Sequence, residues 1–187
     1  MKCNYLLTLT LFTFMPIGLF GINNDSINMI RKMQHKSINL NAAYEIGNEI
    51  ALSGRIEYEN SNWGKVMFNG EFGMFISKNG GGFIFDTGLG YGYPIIFSNN
   101  REISINGFIS CMQLGGFELM YIGPTAMIET EYKKTYDKFS FCLAPYYRRL
   151  NLFDYNDLKN NNQDVGVFKA NTFGLRIGII YNISLKK

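Results

Sequence analysis

The feature that most constrains this chain is an alternation of period two that runs almost to its end. Phe173, Leu175, Ile177, Ile179, Tyr181 and Ile183 hold every odd position of the last run. Thr172, Gly174, Arg176, Gly178 and Asn182 hold the even ones, and only Ile180 departs. Successive side chains of a strand point to opposite faces, so this run specifies a strand with one apolar and one polar face. Seven earlier runs repeat the pattern, at 37–46, 50–58, 64–77, 83–97, 102–113, 117–132 and 138–149, and the eighth covers 165–183. Ile38, Leu40, Ala42, Tyr44 and Ile46 alternate with Asn39, Asn41, Ala43 and Glu45 in the first. The sixth changes phase midway, from odd (Phe117, Leu119, Tyr121) to even (Ala126, Ile128, Thr130, Tyr132), which predicts a bulge at Gly123-Pro124.

The connections fall into two kinds. Asn60–Trp63, Ser98–Arg101 and Lys133–Asp137 are compact. The others carry Gly47-Asn48, the triple glycine 80–82, Gly115-Gly116 and a long polar segment, 151–164. An up-and-down antiparallel meander of eight strands generates two such ends, and closing it removes the exposed sheet edges.

Composition narrows the function classes. The 187 residues suffice for one domain, and only 18% are charged while 16% are aromatic. A formal net charge of +3, with no stripe of Lys and Arg, argues against a nucleic-acid partner. Residues 1–21 read as a secretory signal peptide: Lys2 precedes the apolar run Tyr5–Phe20, and Gly21 stands at the cut. The same segment left uncleaved would be an anchor. Residues 22–36 read as a polar leader on the periplasmic side. Ile27, Ile30 and Met33 fit a short amphipathic helix there, and an unstructured leader fits equally. Cys3 precedes the apolar run, which argues against a lipoprotein cysteine. Cys111 and Cys142 belong to opposite faces of separate strands, so free thiols are expected.

Alternation alone does not say which face is inside. The polar face holds Ala51, Ser53, Gly73, Gly88, Gly90, Gly92, Ser104, Ser140, Ala144, Gly174 and Gly178, all small. An eight-stranded barrel has an interior only just wide enough for side chains, so small residues suit its lumen. The apolar face is bulky over all eight runs and would overfill that volume, whereas facing lipid it has no limit. The expected fold is therefore an all-β, eight-stranded antiparallel up-and-down transmembrane barrel over 37–183, with a tail at 184–187. The alternative is a secreted soluble lipocalin-like barrel with an apolar interior and an apolar ligand. In the membrane reading Tyr58, Trp63, Phe97, Tyr132, Tyr136 and Tyr181 gather at the compact-turn rim as interfacial aromatics.

The last run also resembles the C-terminal strand of bacterial outer-membrane barrels, with Arg176, Gly178, Tyr181 and Ile183 in its polar, glycine, aromatic and terminal apolar places. The resemblance implies an assembly signal read by the barrel-assembly machinery. One departure is that Ser184-Leu-Lys-Lys187 follows the apolar residue. Over 37–183 the chain is similar to the small OmpA/OmpX-type barrels, which implies a bacterial outer-membrane location, lipid as partner, and a lumen filled by an ionic network.

The inward charges expected to form that network are Arg55, Glu57, Lys65, Glu71, Asp86, Glu131, Lys138 and Arg176, with Glu45, Glu118, Glu129 and Arg148 on the same face. Glu57–Lys65 and Glu131–Lys138 are the expected pairs. Ions isolated from water need partners, so a closed salt-bridged plug is expected, with a narrow gated ion path as the sharper alternative. Removing Arg55 or Arg176 is then expected to raise conductance. The single histidine, His35, lies before the first strand, no His/Cys cluster suits a metal, and no glycine series precedes a phosphate-cradling helix. Neither catalysis nor a cofactor is expected. The segment 151–164, with Phe153, Asp154, Tyr155 and Asp157, is the best place for an extracellular partner.

Overall fold

A computed structural model describes residues 36–47, 49–60, 63–77, 80–98, 100–116, 120–160 and 165–185. The expected signal peptide and nearly all of the expected leader, His35 included, lie outside the described residues, as does Glu118. Eight strands follow one another: β1 (Lys36–Gly47), β2 (Glu49–Asn60), β3 (Gly64–Ser77), β4 (Gly80–Ser98), β5 (Arg101–Gly115), β6 (Met120–Tyr136), β7 (Phe139–Asp154) and β8 (Val167–Ser184). A five-residue helix, α1 (Tyr155–Lys159), separates the last two. Each strand pairs antiparallel with the next, and β8 returns to β1, so the sheet is a closed barrel in sequence order.

Closure carries a measurable stagger. The ladder runs from Ser37 through Glu59, Lys65, Gly92, Asn106, Glu129, Tyr146 and Gly174, and re-enters β1 at Gly47, ten residues further on. With eight strands this shear tilts them by about 40° to the barrel axis. On β4 the outward apolar positions extend from Phe83 to Tyr93. At about 3.3 Å per residue and that tilt, they cover about 25 Å of barrel height, the hydrophobic height of a membrane barrel wall.

Side chains are sorted in the reverse of the usual order. Arg148 and Arg176 are 0% and 1% exposed, whereas Ile109 is 74% and Leu89 65% exposed. Every described strand shows the alternation, with Leu40, Tyr44, Leu52, Ile56, Phe68, Phe72, Phe85, Phe141 and Ile179 on the outside. The interior is packed with ionic and polar side chains and two apolar clusters, and the large apolar face of the strands is outside, which sets aside the soluble barrel with an apolar interior and ligand. Ile180, the exception in the last run, is buried in the lumen. Cys142 is buried and Cys111 is exposed, and both are free thiols.

Two local expectations are corrected. No bulge occurs at Gly123-Pro124: β5 and β6 keep one register from Arg101↔Lys134 to Gly115↔Met120. Tyr121 is an inward aromatic packed against the interior cluster, so its parity changes identity and not phase. The β4–β5 ladder is irregular between Pro94 and Ile96, near the compact turn, where a proline without an N–H interrupts it. The expected loop is also shorter, since Phe153 and Asp154 belong to β7. Residues 161–164 lie outside the described set.

Candidate functional site

The lumen holds the chemistry, in tiers set by residue position along each strand. The tier nearest the compact turns is a nearly balanced ionic chain. Glu129 accepts from Arg55 Nη1 at 2.7 Å, from Arg176 Nη2 at 3.0 Å and from Asn106 Nδ2 at 2.7 Å. Glu131 accepts from Lys65 Nζ at 2.6 Å and from Arg176 Nη2 at 2.5 Å. Lys65 also lies 3.5 Å from Glu102, and Lys133 joins Glu102 at 2.8 Å to Glu59 at 3.1 Å at the rim. Four cations thus face five carboxylates, counting Glu57. Both oxygens of Glu57 are buried without a hydrogen-bond partner among the described residues.

Above it lies a thin apolar layer. Met67, Phe108, Met127 and Tyr146 pack together across the lumen. The Arg55 guanidinium lies 4.2 Å from the Phe108 ring centre, and that of Arg148 lies 5.4 Å from Tyr146. Small residues make this filling possible. Gly174 sits beside Tyr146 with no room for a Cβ, and Gly92 is covered by Lys65 and Asn106. At the outward Gly54, by contrast, an added Cβ would meet nothing within 4 Å.

The second ionic tier is organised around one cation. Arg148 donates to Glu45 at 3.2 Å, to Glu49 at 2.9 Å and to Glu71 at 2.6 and 3.1 Å. Tyr146 Oη donates to Glu49 at 2.7 Å, and Ser110 Oγ donates to Asp86 at 2.9 Å. Glu45, Glu49 and Glu71 each place a carboxylate oxygen within 4.8 Å of the others.

An apolar cap closes the loop end. Phe75 stands four residues beyond Glu71 on β3, Leu152 four beyond Arg148 on β7, and Ile84 two residues toward the loops from Asp86 on β4. Met112, Leu114 and Leu150 join them, with Tyr121, Phe168 and Ala170 packed against the cluster.

Of the expected network residues, Arg55, Glu57, Lys65, Glu71, Asp86, Glu131 and Arg176 are in the lumen. Lys138 is not. It occupies the exposed two-residue turn between Tyr136 and Phe139, beside Asp137 with its left-handed φ of 53°. The expected pairs change accordingly. Glu131 stands opposite Ser104 on the β5–β6 ladder and is held by Lys65 and Arg176, and Lys65 is laterally opposite Glu59 and not Glu57. Glu49, Glu59, Glu102 and Lys133 are lumen residues that the sequence reading passed over. Parity marks each of them: Glu102 shares its face with Ser104, and Lys133 with Glu131. Glu49 and Lys133 stand in the expected turns and Glu59 between a strand and its turn, while Glu102 opens the expected fifth run.

Tyr58, Trp63, Tyr132, Tyr136 and Tyr181 lie on the outer wall at the compact-turn end. The rings of Tyr58 and Trp63 are 5.8 Å apart, those of Phe139 and Tyr181 5.2 Å, and the Lys134 ammonium lies 4.9 Å from the Tyr136 ring. Tyr91 Oη donates to the Trp63 carbonyl. Tyr132 is half-buried one strand from Ile103. Phe97 belongs to β4, and its side chain is outside the described set. In the last strand Arg176 and Gly178 face inward, while Tyr181 and Ile183 face outward. Pairing continues past Ile183 to Ser184↔Ser37, and Leu185 N donates to Lys36 O at 2.9 Å. Beyond β7, Asp154 caps α1 by accepting from Asn156 N at 2.8 Å, and Asp157 accepts from Gly166 N at 3.0 Å, which leaves Tyr155 and Leu158 exposed.

The fold and lumen together define a small, closed, eight-stranded up-and-down barrel with an inverted distribution of polarity. Two solved structures share this fold. The N-terminal β-barrel domain of Pseudomonas aeruginosa OprF matches with a TM-score of 0.52 and 12% identity, covering 80% of this chain and all of that domain. Neisserial surface protein A (NspA) matches with a TM-score of 0.53 and 8% identity, covering 80% of this chain and 96% of that one. No protein-family model and no curated protein matches the sequence.

Proposed function

We propose that this chain is an integral protein of a bacterial outer membrane whose barrel is an anchoring and surface-display scaffold with a closed lumen. One observation carries the reading: large apolar side chains cover the outer wall while guanidinium and carboxylate groups fill the inside. In water that arrangement would leave a continuous apolar surface unsatisfied, and in a bilayer it is the favoured one. The two ionic tiers and the apolar cap stand in series, which favours the plug over the narrow pore. Outer-membrane lipid is the partner of the wall, and Trp63 with its aromatic neighbours meets the lipid–water interface. The barrel-assembly machinery reads β8. The termini of the barrel lie at the compact-turn end, on the periplasmic side, so Tyr155 and Leu158 on α1 face the exterior and offer the surface for an external contact. No reaction is assigned to the lumen carboxylates, which are buried among the described residues.

The test is folding into lipid vesicles after removal of residues 1–21. A folded barrel migrates differently on a gel with and without boiling, stays with the vesicles under alkaline extraction, and gives no steady conductance in planar bilayers. A folded, monomeric protein that remains in solution without detergent refutes the membrane assignment, and stable channels refute the closed lumen.

A further inference from the structure

The upper ionic tier is far from neutral. Among the described residues, Glu45, Glu49, Glu71 and Asp86 have one cation within ion-pair distance, Arg148, and Arg176 stands opposite Glu45 on the β1–β8 ladder, so that two formal negative charges remain even when both cations are counted. The tier lies between the Tyr146 cluster below and the Phe75–Leu152 cap above. The oxygens show where the deficit lies. Glu71 uses both of its oxygens on Arg148. Glu45 spends Oε2 on Arg148, Glu49 spends Oε1 on Arg148 and Tyr146, and Asp86 spends Oδ2 on Ser110. The second oxygen of each, Glu45 Oε1, Glu49 Oε2 and Asp86 Oδ1, is buried with no hydrogen-bond partner, and these residues are 0%, 0% and 1% exposed. Asp86 is directly opposite Glu71 on the β3–β4 ladder, so it faces the same space from a fourth strand.

Unpaired carboxylates in a water-excluded interior are strongly disfavoured, and a buried charge is tolerated when it is paired or binds a metal. We propose that this chamber is a cation site, filled by one hard divalent ion of the calcium type, with the free oxygens of Glu45 and Glu49 as donors inside the Glu45–Glu49–Glu71 cluster and Asp86, opposite Glu71, adding charge beside it. The donor chemistry is all oxygen and all carboxylate, which suits calcium in preference to a softer transition metal. Calcium–oxygen distances near about 2.4 Å allow two donors of one ion to stand at most about 4.8 Å apart, the limit within which the Glu45, Glu49 and Glu71 oxygens already fall. Arg148 holds the carboxylates together from the other side and offsets the fourth charge. The site depends on the barrel interior and not on the membrane or closed-lumen reading of the wall, so it stands or falls separately from the proposed function.

The experiment refolds the barrel in detergent in metal-free buffer, with calcium chloride or with a chelator present before folding starts. Metal content is measured by mass spectrometry after gel filtration, and stability by the temperature at which the unboiled gel band is lost. About one calcium per barrel is expected, with an upward shift of roughly 5–10 °C at a calcium concentration about 100-fold above the dissociation constant. Glu45→Gln with Glu49→Gln should fold without calcium and lose both the bound metal and the shift. If that variant does not fold, Asp86→Asn is the second test and should lower the calcium content and the shift. Metal-free wild-type barrel of unchanged stability would overturn the proposal and leave protons as what neutralises the chamber. Calcium retained undiminished by both variants would overturn it as well.

Discussion

Replacing Arg176 with methionine tests whether the lower ionic tier is the water-free network its geometry describes. The side chain is 1% exposed and donates to Glu129 at 3.0 and 3.2 Å and to Glu131 at 2.5 Å. Methionine keeps most of the volume, so the change removes charge and hydrogen bonds more than packing. Glu129 retains Arg55 and Asn106, and Glu131 retains Lys65, but the tier then has three cations against five carboxylates. Breaking a buried ion pair by deleting one partner costs about 3–5 kcal/mol, because the other charge stays buried. The folded population of Arg176→Met should therefore fall by roughly a hundredfold to several-thousandfold, read as a shift of the urea midpoint in vesicles by unboiled gel mobility. Adding Glu131→Gln removes the orphaned charge and should recover about 1–3 kcal/mol, a coupling that distant sites do not show. A single variant within about 0.5 kcal/mol of the wild type, or a double variant that is simply additive, would refute the reasoning and mean that the lumen is hydrated.

Two more predictions address the wall and the filling of the barrel. Leu89 lies 65% exposed near the middle of the apolar band, so Leu89→Arg should destabilise the vesicle-inserted barrel by about 2–4 kcal/mol, and a change under about 0.5 kcal/mol would mean that the wall faces water. Gly174→Ala must displace the Tyr146 phenol from Glu49, costing about 1–3 kcal/mol in the same unfolding assay, whereas Gly54→Ala should be neutral or slightly stabilising. Equal effects at the two glycines would show that the lumen is not packed as described.

Period-two alternation is a strong local signal, and it carried the number, order and facing of the strands. It also separated Cys111 from Cys142 and placed Arg55, Glu71 and Arg176 inside. What alternation does not encode is stagger. Which inward residues meet across the lumen depends on the ten-residue shear, so the ion pairs of Lys65 within 4 Å are with Glu131, three strands away, and Glu102, while Glu57 stands farther off. Strand ends were the other weak point. Hairpins here are tighter than the polar residues flanking them suggest, so Glu49 and Lys133 read as turn residues and Glu59 falls between a strand and its turn, although each is an inward rung. At the remaining end the error ran the other way: Lys138 was counted as the start of a strand, and Asp137 turns the chain just before it. Tyr121 misled because an aromatic on the lumen side looks like a slip in phase. Its place is explained only by the apolar cap, which no single strand reveals.

The cap changes what opening the lumen would require. With the ionic tier alone, losing Arg176 would clear a path, as a salt-bridged plug predicts. Here a second barrier stands beyond it, built from Phe75, Ile84, Met112, Leu114, Leu150 and Leu152, and it carries no charge that could exchange partners. The Met67–Phe108 layer separates the two barriers, so their costs should add with little coupling. If parting each costs at least about 3 kcal/mol, a state with both open is populated about once in ten thousand or less. Arg176→Met should therefore leave planar-bilayer conductance at baseline even as it weakens the fold, and opening should require the ionic tier and the cap to be cut together, as in Arg176→Met with Leu152→Ala. Steady channels from Arg176→Met alone would show that the apolar cluster does not seal the barrel.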